Sequence, residues 1–544
     1  MVCFRRIDFL ACAALMQPHR RFTVYHSLAF WLGTFTIVAG VGCHLPDFIA
    51  SRHVHYQVSG ICDPSRCGGM TPMMCLGMGL IGLGIAATVY GLFPAGAGAR
   101  RDVSAEFGMH TLDEARLSRA HWLLVAVLGV ALVVDVMKPA TLGFVMPGLR
   151  REYGVSTAKA SLLALFAMIG TTAGSVLWGI LDDRLGRRGS ILLASLIFIS
   201  TGICGTMPAF QWNLCMCFFM GLSAGGMLPI VFALLAEIIP SRHRGWISVL
   251  IGGLGSVGGY LAASGAAALL EPIFSWRILW LLNVPTGFLV ILLSRFIPES
   301  PRFLLHAGRV DEARQTLAKF NVELVPVPAG DRPTPLPHSI QFSQLFRKPY
   351  ALITMTVCVY GVAWGLVNWG FLTWLPTIMQ DYLRLNGRIA NQLLAKSALI
   401  AVPGCLLVAW LYGRWSSKKT MALFALGTAA VLGGFSTFKA GDRQLWFSVL
   451  TILLLFGLGG MISMLPPYSV ELYPTKLRAT GGGVVASSSK VGGVIGPSAI
   501  AFILTLSPGV AMPALLAGAP LVLAAFILWR NGKETSGKKL EEIQ

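Results

Sequence analysis

Two charged residues, Asp135 and Lys138, lie inside the otherwise apolar stretch VVDVMKPATLGF. A helix places residues three apart on one face, so these two side chains can meet. Ionisable groups within an apolar helix are costly and are therefore candidates for function. We expect Lys138 to contact an anionic solute and Asp135 to take up a coupling proton. The alternative is a self-neutralising pair that merely tolerates burial.

Further candidates lie later in the chain. Tyr360, Trp364 and Asn368 recur at every fourth residue, with Trp369 beside them. They can line a cavity with rings and one amide, although helix packing is the commoner role of such a stripe. Lys490, in ASSSKVGGVIGP, is either a second anion contact or a residue whose ammonium extends to a membrane interface.

The elements that position these residues are membrane helices. The 544 residues are 55% hydrophobic and only 12% charged, whereas an ordinary soluble domain has roughly 25% charged residues. Apolar runs approach the roughly 20 residues that cross about 30 Å of hydrocarbon. We predict an all-α membrane protein of about 14 spans, at roughly 26–47, 71–94, 121–146, 158–181, 190–209, 212–239, 246–270, 276–297, 350–379, 390–412, 419–438, 444–472, 481–506 and 510–530.

The net charge of +19 does not indicate a nucleic-acid partner, because the basic residues are scattered singly and in pairs between apolar runs. Their distribution fits the rule that basic loops stay in the cytoplasm. We therefore expect a multi-pass protein of a bacterial-type inner membrane, with both termini cytoplasmic. Four residues on the other side are exceptions, namely Arg150, Arg151, Arg384 and Arg388.

The last twelve predicted spans form two similar halves. Glu237 and Arg244 belong to an E-x-x-P-x-x-x-R segment, and so do Glu471 and Arg478, at an offset of 471 − 237 = 234. Such a repeat predicts a duplicated six-helix bundle. The predicted division is an extension with two extra spans, a first bundle, a central loop, a second bundle and a tail, at 1–120, 121–297, 298–349, 350–531 and 532–544.

The segment GILDDRLGRR at 179–188 resembles the G-x-L-x-D-R-x-G-R-R signature of the major facilitator superfamily. Trp276-Arg277, the PESPR segment at 298–302 and the two E-x-x-P-x-x-x-R segments resemble its aromatic-acid/proton symporter and sugar-porter branches. The resemblance covers roughly 121–531 and implies two pseudo-symmetric six-helix bundles that work by alternating access.

The resemblance also implies a conformational latch on the cytoplasmic side. The residues carried over to it are Gly179, Asp183, Arg184, Gly186, Arg187, Arg188, Glu237, Arg244, Glu471 and Arg478. In the second half Gly413 stands at the acidic position, so a weaker latch is expected there. Many proton-coupled relatives have Arg four residues before Gly221, where this chain has Cys217, so another group must supply that charge.

We therefore predict a secondary active transporter for proton-coupled uptake of a small organic anion, an aromatic or other carboxylic acid. The alternatives are a sugar or polyol porter, a drug efflux carrier and a non-transporting receptor on a carrier fold. The expected partners are the solute, the proton and the lipid bilayer. No enzyme activity, cofactor or metal is expected, because no nucleophile, metal or phosphate motif is specific enough.

The two extra N-terminal spans are joined by a segment with cysteines and histidines. A disulfide between Cys62 and Cys67 is plausible in an oxidising compartment. Metal capture is a weaker alternative, since the spacing of the ligands matches no strong pattern. Contact with an unidentified protein partner, or assistance with insertion, is the expected role of the hairpin.

Overall fold

The computed structural model describes residues 26–54, 70–93, 107–108, 116–326, 343–437, 444–473, 477–507 and 509–535. For residues 51–54, 108, 183, 241, 444, 470, 478 and 479 it describes the backbone alone. Cys62 and Cys67, the expected disulfide pair, lie outside the described residues.

The extra N-terminal spans form a hairpin of tightly packed helices. Its helices are α1 (Ser27–Gly42), α2 (Leu45–Val54) and α3 (Pro72–Leu92). Glycines face each other across it, since a Cβ added at Gly33 would lie 2.6 Å from the Gly84 carbonyl oxygen, and one at Gly40 would lie 2.7 Å from that of Gly77. Small residues allow this approach, which provides the van der Waals contact that holds helices together in lipid.

The first half begins with one long helix and a second that contains two spans. Its helices are α4 (Arg119–Tyr153), α5 (Thr157–Ser200), α6 (Phe210–Ala224), α7 (Met227–Ile238), α8 (Ser241–Phe274), α9 (Ile278–Leu281) and α10 (Asn283–Leu293), with 3-10 turns at Thr201–Thr206 and Ser294–Phe296. Within α5, Gly186 has φ 79° and ψ 168°, which breaks the helix between the two spans.

The second half follows a short connecting region with helices α11 (Pro301–His306) and α12 (Val310–Ala318). Its helices are α13 (Ala351–Gly365), α14 (Leu372–Asp381), α15 (Gly387–Ala401), α16 (Gly404–Arg414), α17 (Ser417–Ser436), α18 (Gln444–Leu472), α19 (Arg478–Leu506) and α20 (Ala511–Asn531), with a π-helical turn at Leu366–Phe371. Outside the membrane helices, β1 (Phe107–Gly108) pairs antiparallel with β2 (Val325–Pro326).

Across the described parts of the chain, 14 helical segments are long and apolar enough to cross a membrane, which confirms the predicted number. The first core span is longer than predicted, because α4 continues through Pro139 and Pro147 to Tyr153. Its 35 residues reach roughly 50 Å at 1.5 Å per residue. The ends of α4 therefore extend past about 30 Å of hydrocarbon.

The extra hairpin covers the outer face of the span at Arg184–Thr206. Phe30, Ile37 and Val41 share a buried apolar cluster with Leu196 and Ile199 of α5. As a result, 89% of the residues in an 18-residue apolar stretch of that span are buried, whereas the share is 50% in its counterpart in the second half, Ser417–Ser436. On this face of the first half, protein takes the place of lipid.

A seam of glycines joins α5 to α6. A Cβ added at Gly221 would overlap the Ala167 carbonyl oxygen, and one at Gly170 or Gly174 would overlap a carbonyl oxygen of α6. The two backbones touch, so even a methyl group cannot be inserted without separating the helices.

We expect Gly221→Ala to lower the apparent melting temperature of the detergent-purified protein, because overpacking a close contact costs about 1–3 kcal/mol. The control is Gly265→Ala in α8, where an added Cβ meets no atom within 4 Å. This control should be neutral or stabilising, because Ala favours a helix over Gly by roughly 0.5–1 kcal/mol. Equal melting temperatures for the two variants would contradict the backbone contact.

Candidate functional site

A cavity lies where the two halves meet. The first half contributes Phe144, Ser256 and Tyr260 to its wall, and the second half contributes Asn368, Trp369 and Thr373. The remaining wall residues are glycine, proline and aliphatic residues. In this conformation the cavity volume is about 30 Å³, which is room for about two water molecules and too little for an aromatic ring.

The structure brings two of the predicted residues, Asn368 and Trp369, to this wall. Both lie in the π-helical turn Leu366–Phe371. Such turns are rare and occur frequently at functional sites. Gly370 and Gly496 of α19 pack backbone to backbone, with an added Cβ only 3.1 Å from the opposite residue, and this contact fixes the turn against its neighbour.

Tyr360 and Trp364 lie behind the wall, in the interior of the second half. Tyr360 is fully buried, and the indole N–H of Trp364 donates to the Leu458 carbonyl oxygen at 3.0 Å. The even spacing in sequence predicted that both would share a face with Asn368. The wide turn shifts the register of the helix between residues 364 and 368, so the three side chains do not face one cavity.

Asp135 and Lys138 form the predicted ion pair, with Lys138 Nζ 3.3 Å from Asp135 Oδ1 and both side chains buried. The ammonium of Lys138 also lies 4.0 Å from the centre of the Phe198 ring, a favourable cation–π contact. Val136 and Ala140 line the cavity from the other face of α4. Lys138 therefore faces the interior of the first half, and neither charge belongs to the described cavity wall.

Lys490, a charged residue of the second half, acts electrostatically on Asp135. It is partly buried on α19, and it and Asp135 interact electrostatically. Asp135 thus has one cationic neighbour within its own half and one in the other half.

In the first half, the predicted latch centres on Arg187. Its guanidinium lies 3.9 Å from Asp182 and 3.8 Å from Glu237, and its backbone N–H donates to Glu299 Oε1 at 2.6 Å. Glycine is favoured at position 186 for two reasons: its φ of 79° is one that other residues rarely adopt, and an added Cβ would lie 2.6 Å from the Glu299 carboxylate.

The other predicted latch residues take varied positions. Arg188 interacts electrostatically with Glu299, and the Arg244 guanidinium donates to the Ile239 carbonyl oxygen at 3.2 Å. Arg184 is exposed, and a Cβ added at Gly179 meets no atom within 4 Å. The side chains of Asp183 and Arg478 lie outside the described part of the chain. Asp182, the neighbour of the predicted Asp183, is one of the two acids beside the Arg187 guanidinium, and the predicted Glu237 is the other.

The second half repeats the same arrangement with residues that the sequence analysis missed. The Ser300 hydroxyl donates to Glu237, and the Thr535 hydroxyl donates to Glu471 at 2.6 Å. Glu534 Oε1 accepts from the Ser417 backbone N–H at 2.9 Å, as Glu299 does from Arg187. Glu471 also accepts from the Tyr412 hydroxyl at 2.8 Å.

The sequence contains a signal for this repeated arrangement. Glu299-Ser300 and Glu534-Thr535 each follow the last helix of a half, at an offset of 534 − 299 = 235. This offset is close to that between Glu237 and Glu471. Glu534 is thus the counterpart of Glu299, and the second half has this carboxylate although Gly413 stands at the acidic position of the motif.

Polar contacts also join the two halves at the opposite, predicted periplasmic, end. Arg150 Nη1 lies 2.6 Å from Asp381 Oδ2, and Arg151 Nη2 donates to Gln380 Oε1 at 2.9 Å. Asn391 Nδ2 donates to Glu271 Oε2 at 2.5 Å. The two basic residues were exceptions to the charge rule, and the structure shows them bound to the other half rather than only facing solvent.

The Trp-Arg pair of the sequence resemblance supports this end from within the first half. The indole N–H of Trp276 donates to Glu152 Oε2 at 2.9 Å, and Arg277 forms an ion pair with the same carboxylate. This anchors the end of α4 that carries Arg150 and Arg151.

Comparison with known proteins supports this architecture. The family model described as Major Facilitator Superfamily matches residues 123–497. The chain is 27% identical to the niacin transporter NiaP of Acinetobacter baylyi, with 79% of this chain and 98% of the relative covered. It is 28% identical to the 4-hydroxybenzoate transporter PcaK of Pseudomonas putida, with 71% and 86% covered, and 27% identical to a gallate transporter of the same species, with 77% and 94% covered.

Among solved structures, the chain resembles the xylose transporter XylE from E. coli in a partially occluded inward open conformation. The TM-score is 0.62 at 17% identity, with 78% of this chain and all of that chain covered. At this identity the likeness concerns the fold alone.

The Glu299 carboxyl provides a pH test of the latch. Burial raises its pKa from 4.5 to about 7, against the opposing effects of the backbone hydrogen bonds from Ser300, Arg187 and Arg188 and of the Arg187 charge. The folded protein therefore keeps a proton that the unfolded chain has released, so Glu299 favours folding at low pH. This contribution is lost as the pH rises from about 4.5 through about 7.

We expect the apparent melting temperature of the wild type, measured relative to Glu299→Gln, to fall between pH 5 and pH 8. The amide cannot ionise, so the variant lacks this dependence. Glu323→Gln, at an exposed position, is the control and should follow the wild type. Parallel profiles for the wild type and Glu299→Gln would show that the carboxyl at 299 does not titrate in this range.

Proposed function

Because the chain belongs to the Major Facilitator Superfamily, we propose that it carries a small aromatic carboxylic acid across the membrane by alternating access, together with a proton. The family and the relatives are transporters rather than enzymes, and the relatives carry small organic acids. The observation that carries the finer proposal is the central cavity, where rings and a few polar groups from both halves face one space.

The chemistry of the cavity wall favours an aromatic solute. Phe144 and Tyr260 of the first half face Trp369 of the second, and aromatic rings pack well in offset or edge-to-face arrangements. The named solutes of three relatives, niacin, 4-hydroxybenzoate and gallate, are each an aromatic ring with a carboxyl group. A sugar has hydroxyl groups on every side, and a mostly apolar wall would leave many of them without partners.

Alternating access is supported by contacts of two kinds. At the predicted periplasmic end, Arg150–Asp381 and Glu271–Asn391 join one half to the other. At the latch end, Glu299 and Glu534 each bind a turn within their own half. The contacts between the halves must break when the halves separate at that end. The contacts of Glu299 and Glu534 can instead move with their own half as a rigid unit.

Proton coupling is proposed to use Asp135. Lys138 lies on the same helix and moves with Asp135, whereas Lys490 belongs to the other half. A change in the distance from Lys490 changes the cost of a negative charge on Asp135. The rocking of the halves would thereby alter the affinity of Asp135 for a proton. In this arrangement Lys138 balances charge and does not itself contact the solute.

We expect cells that express the protein to take up radiolabelled 4-hydroxybenzoate, benzoate and nicotinate, and a protonophore to abolish the accumulation. Asp135→Asn should retain binding and exchange of the solute while losing accumulation, because the amide cannot carry the proton. Lys490→Gln should weaken the dependence of uptake on the proton gradient.

Xylose and glucose, tested beside these acids, address the sugar alternative. Uptake of either sugar that is indifferent to Asp135→Asn would overturn both the substrate and the coupling. Failure of the reconstituted protein to move any of the five solutes in proteoliposomes would favour the receptor alternative.

The contact between Arg150 and Asp381, which joins the two halves, gives a second test. A short thiol-reactive cross-linker should join Arg150→Cys to Asp381→Cys in the double variant, because the native side chains meet at 2.6 Å. Uptake should then fall by roughly tenfold or more, and recover when a reducible linker is cleaved. Each single cysteine variant, treated in the same way, controls for reaction with the native cysteines. Full uptake by the cross-linked double variant would show that this end need not open.

A further inference from the structure

The hydroxyl of Tyr260 has no hydrogen-bond partner within the part of the chain that the structure describes, although the residue is 94% buried (6% exposed). Tyr260 lies on α8 in the wall of the central cavity. An unpaired buried hydroxyl costs free energy that a partner would recover, and such groups in native proteins need an explanation. Here the space beside the ring is the proposed substrate site.

From this position we propose that Tyr260 is a specificity-determining residue, whose hydroxyl binds a polar atom on the aromatic ring of the solute, a ring hydroxyl or a ring nitrogen. The proposal rests on the proposed function and narrows its substrate class to aromatic carboxylates with a second polar ring position. A phenol can donate to a ring nitrogen and can both donate to and accept from a ring hydroxyl.

The surroundings of Tyr260 favour a solute ring at this place. The Phe144 ring centre lies 5.5 Å from that of Tyr260 at an interplanar angle of 54°, and Trp369 belongs to the same wall. A ring that enters between them gains aromatic contacts and brings its substituent to the phenol. Asn368 of the second half offers an amide to the same space, so polar groups of both halves can hold one solute.

A neutral phenol suits a neutral ring substituent better than it suits a carboxylate. Charged groups prefer charged partners, because hydrogen bonds to ionised groups are the stronger ones. A site that binds a substituent through a hydrogen bond discriminates against the analogue that lacks it, because the buried group of the protein is then left unpaired.

The test compares initial uptake of 4-hydroxybenzoate and of benzoate by the full-length protein in proteoliposomes. The wild type should prefer 4-hydroxybenzoate, as judged by kcat/KM. Tyr260→Phe should reduce this preference by about tenfold, the effect of one lost hydrogen bond, through slower uptake of 4-hydroxybenzoate with benzoate unchanged. Tyr360→Phe is the matched control, because Tyr360 also has a buried hydroxyl with no described partner but lies outside the described cavity wall. It should leave the preference unaltered.

Three results would overturn the proposal. Equal losses for both acids in Tyr260→Phe would assign the hydroxyl to the carboxylate or to the structure, and an unchanged preference would remove it from recognition. The melting temperature without solute separates structure from binding, since deletion of an unpaired hydroxyl should leave it unchanged or raise it, and a lower value would also reject the proposal. If the wild type carries neither acid, the proposed function fails before any variant is compared.

Discussion

A charge inside a membrane bundle must be neutralised by nearby groups, because water does not reach it and desolvation costs several kcal/mol. Asp135 and Lys138 meet this constraint as a buried pair on one helix, 3.3 Å apart. Arg150 and Asp381, 2.6 Å apart, are partly exposed at the end of the bundle and join the two halves. The buried pair therefore moves with one helix, whereas the exposed pair can separate at a lower cost in desolvation.

At the predicted latch, the carboxylates accept hydrogen bonds from backbone N–H groups as well as from side-chain hydroxyls. Glu299 and Glu534 each accept from the backbone N–H of a turn, at 2.6 Å and 2.9 Å, and the residue after each of them donates to Glu237 or Glu471. A carboxylate that holds a backbone turn fixes the turn whichever way neighbouring side chains point. Each half therefore closes on itself at this end, and the two halves use the same device although their turns differ in sequence.

Much of this could be predicted from the sequence, because membrane spans and repeated motifs have regular spacing. The number of spans follows from the apolar runs, and the pairing of Asp135 with Lys138 follows from helical geometry. The two six-helix halves follow from the repeated motifs, and the family fold is what the motif resemblance implied. The sequence did not predict which side of its helix each candidate residue occupies. The π-helical turn at Leu366–Phe371 separates Asn368 from Tyr360 and Trp364, and its packing against glycines of another helix leaves no local signal. Tyr260 was missed because one tyrosine in an apolar span does not differ from a packing residue until the opposite half is known.

The position of Lys138 separates the residues proposed for proton coupling from those proposed for solute binding. Had Lys138 faced the cavity, one ammonium would have had to balance Asp135 and bind the solute, and each event would have disturbed the other. It lies instead against Phe198, on the face of α4 away from the cavity. Rings, hydroxyls and an amide then remain in the wall of the proposed solute site, and these two charges lie in the protein interior. Lys490 of the second half interacts electrostatically with Asp135, so in the proposed mechanism a movement that opens the cavity would also change the charge balance around Asp135 without contact between the solute and a buried ion.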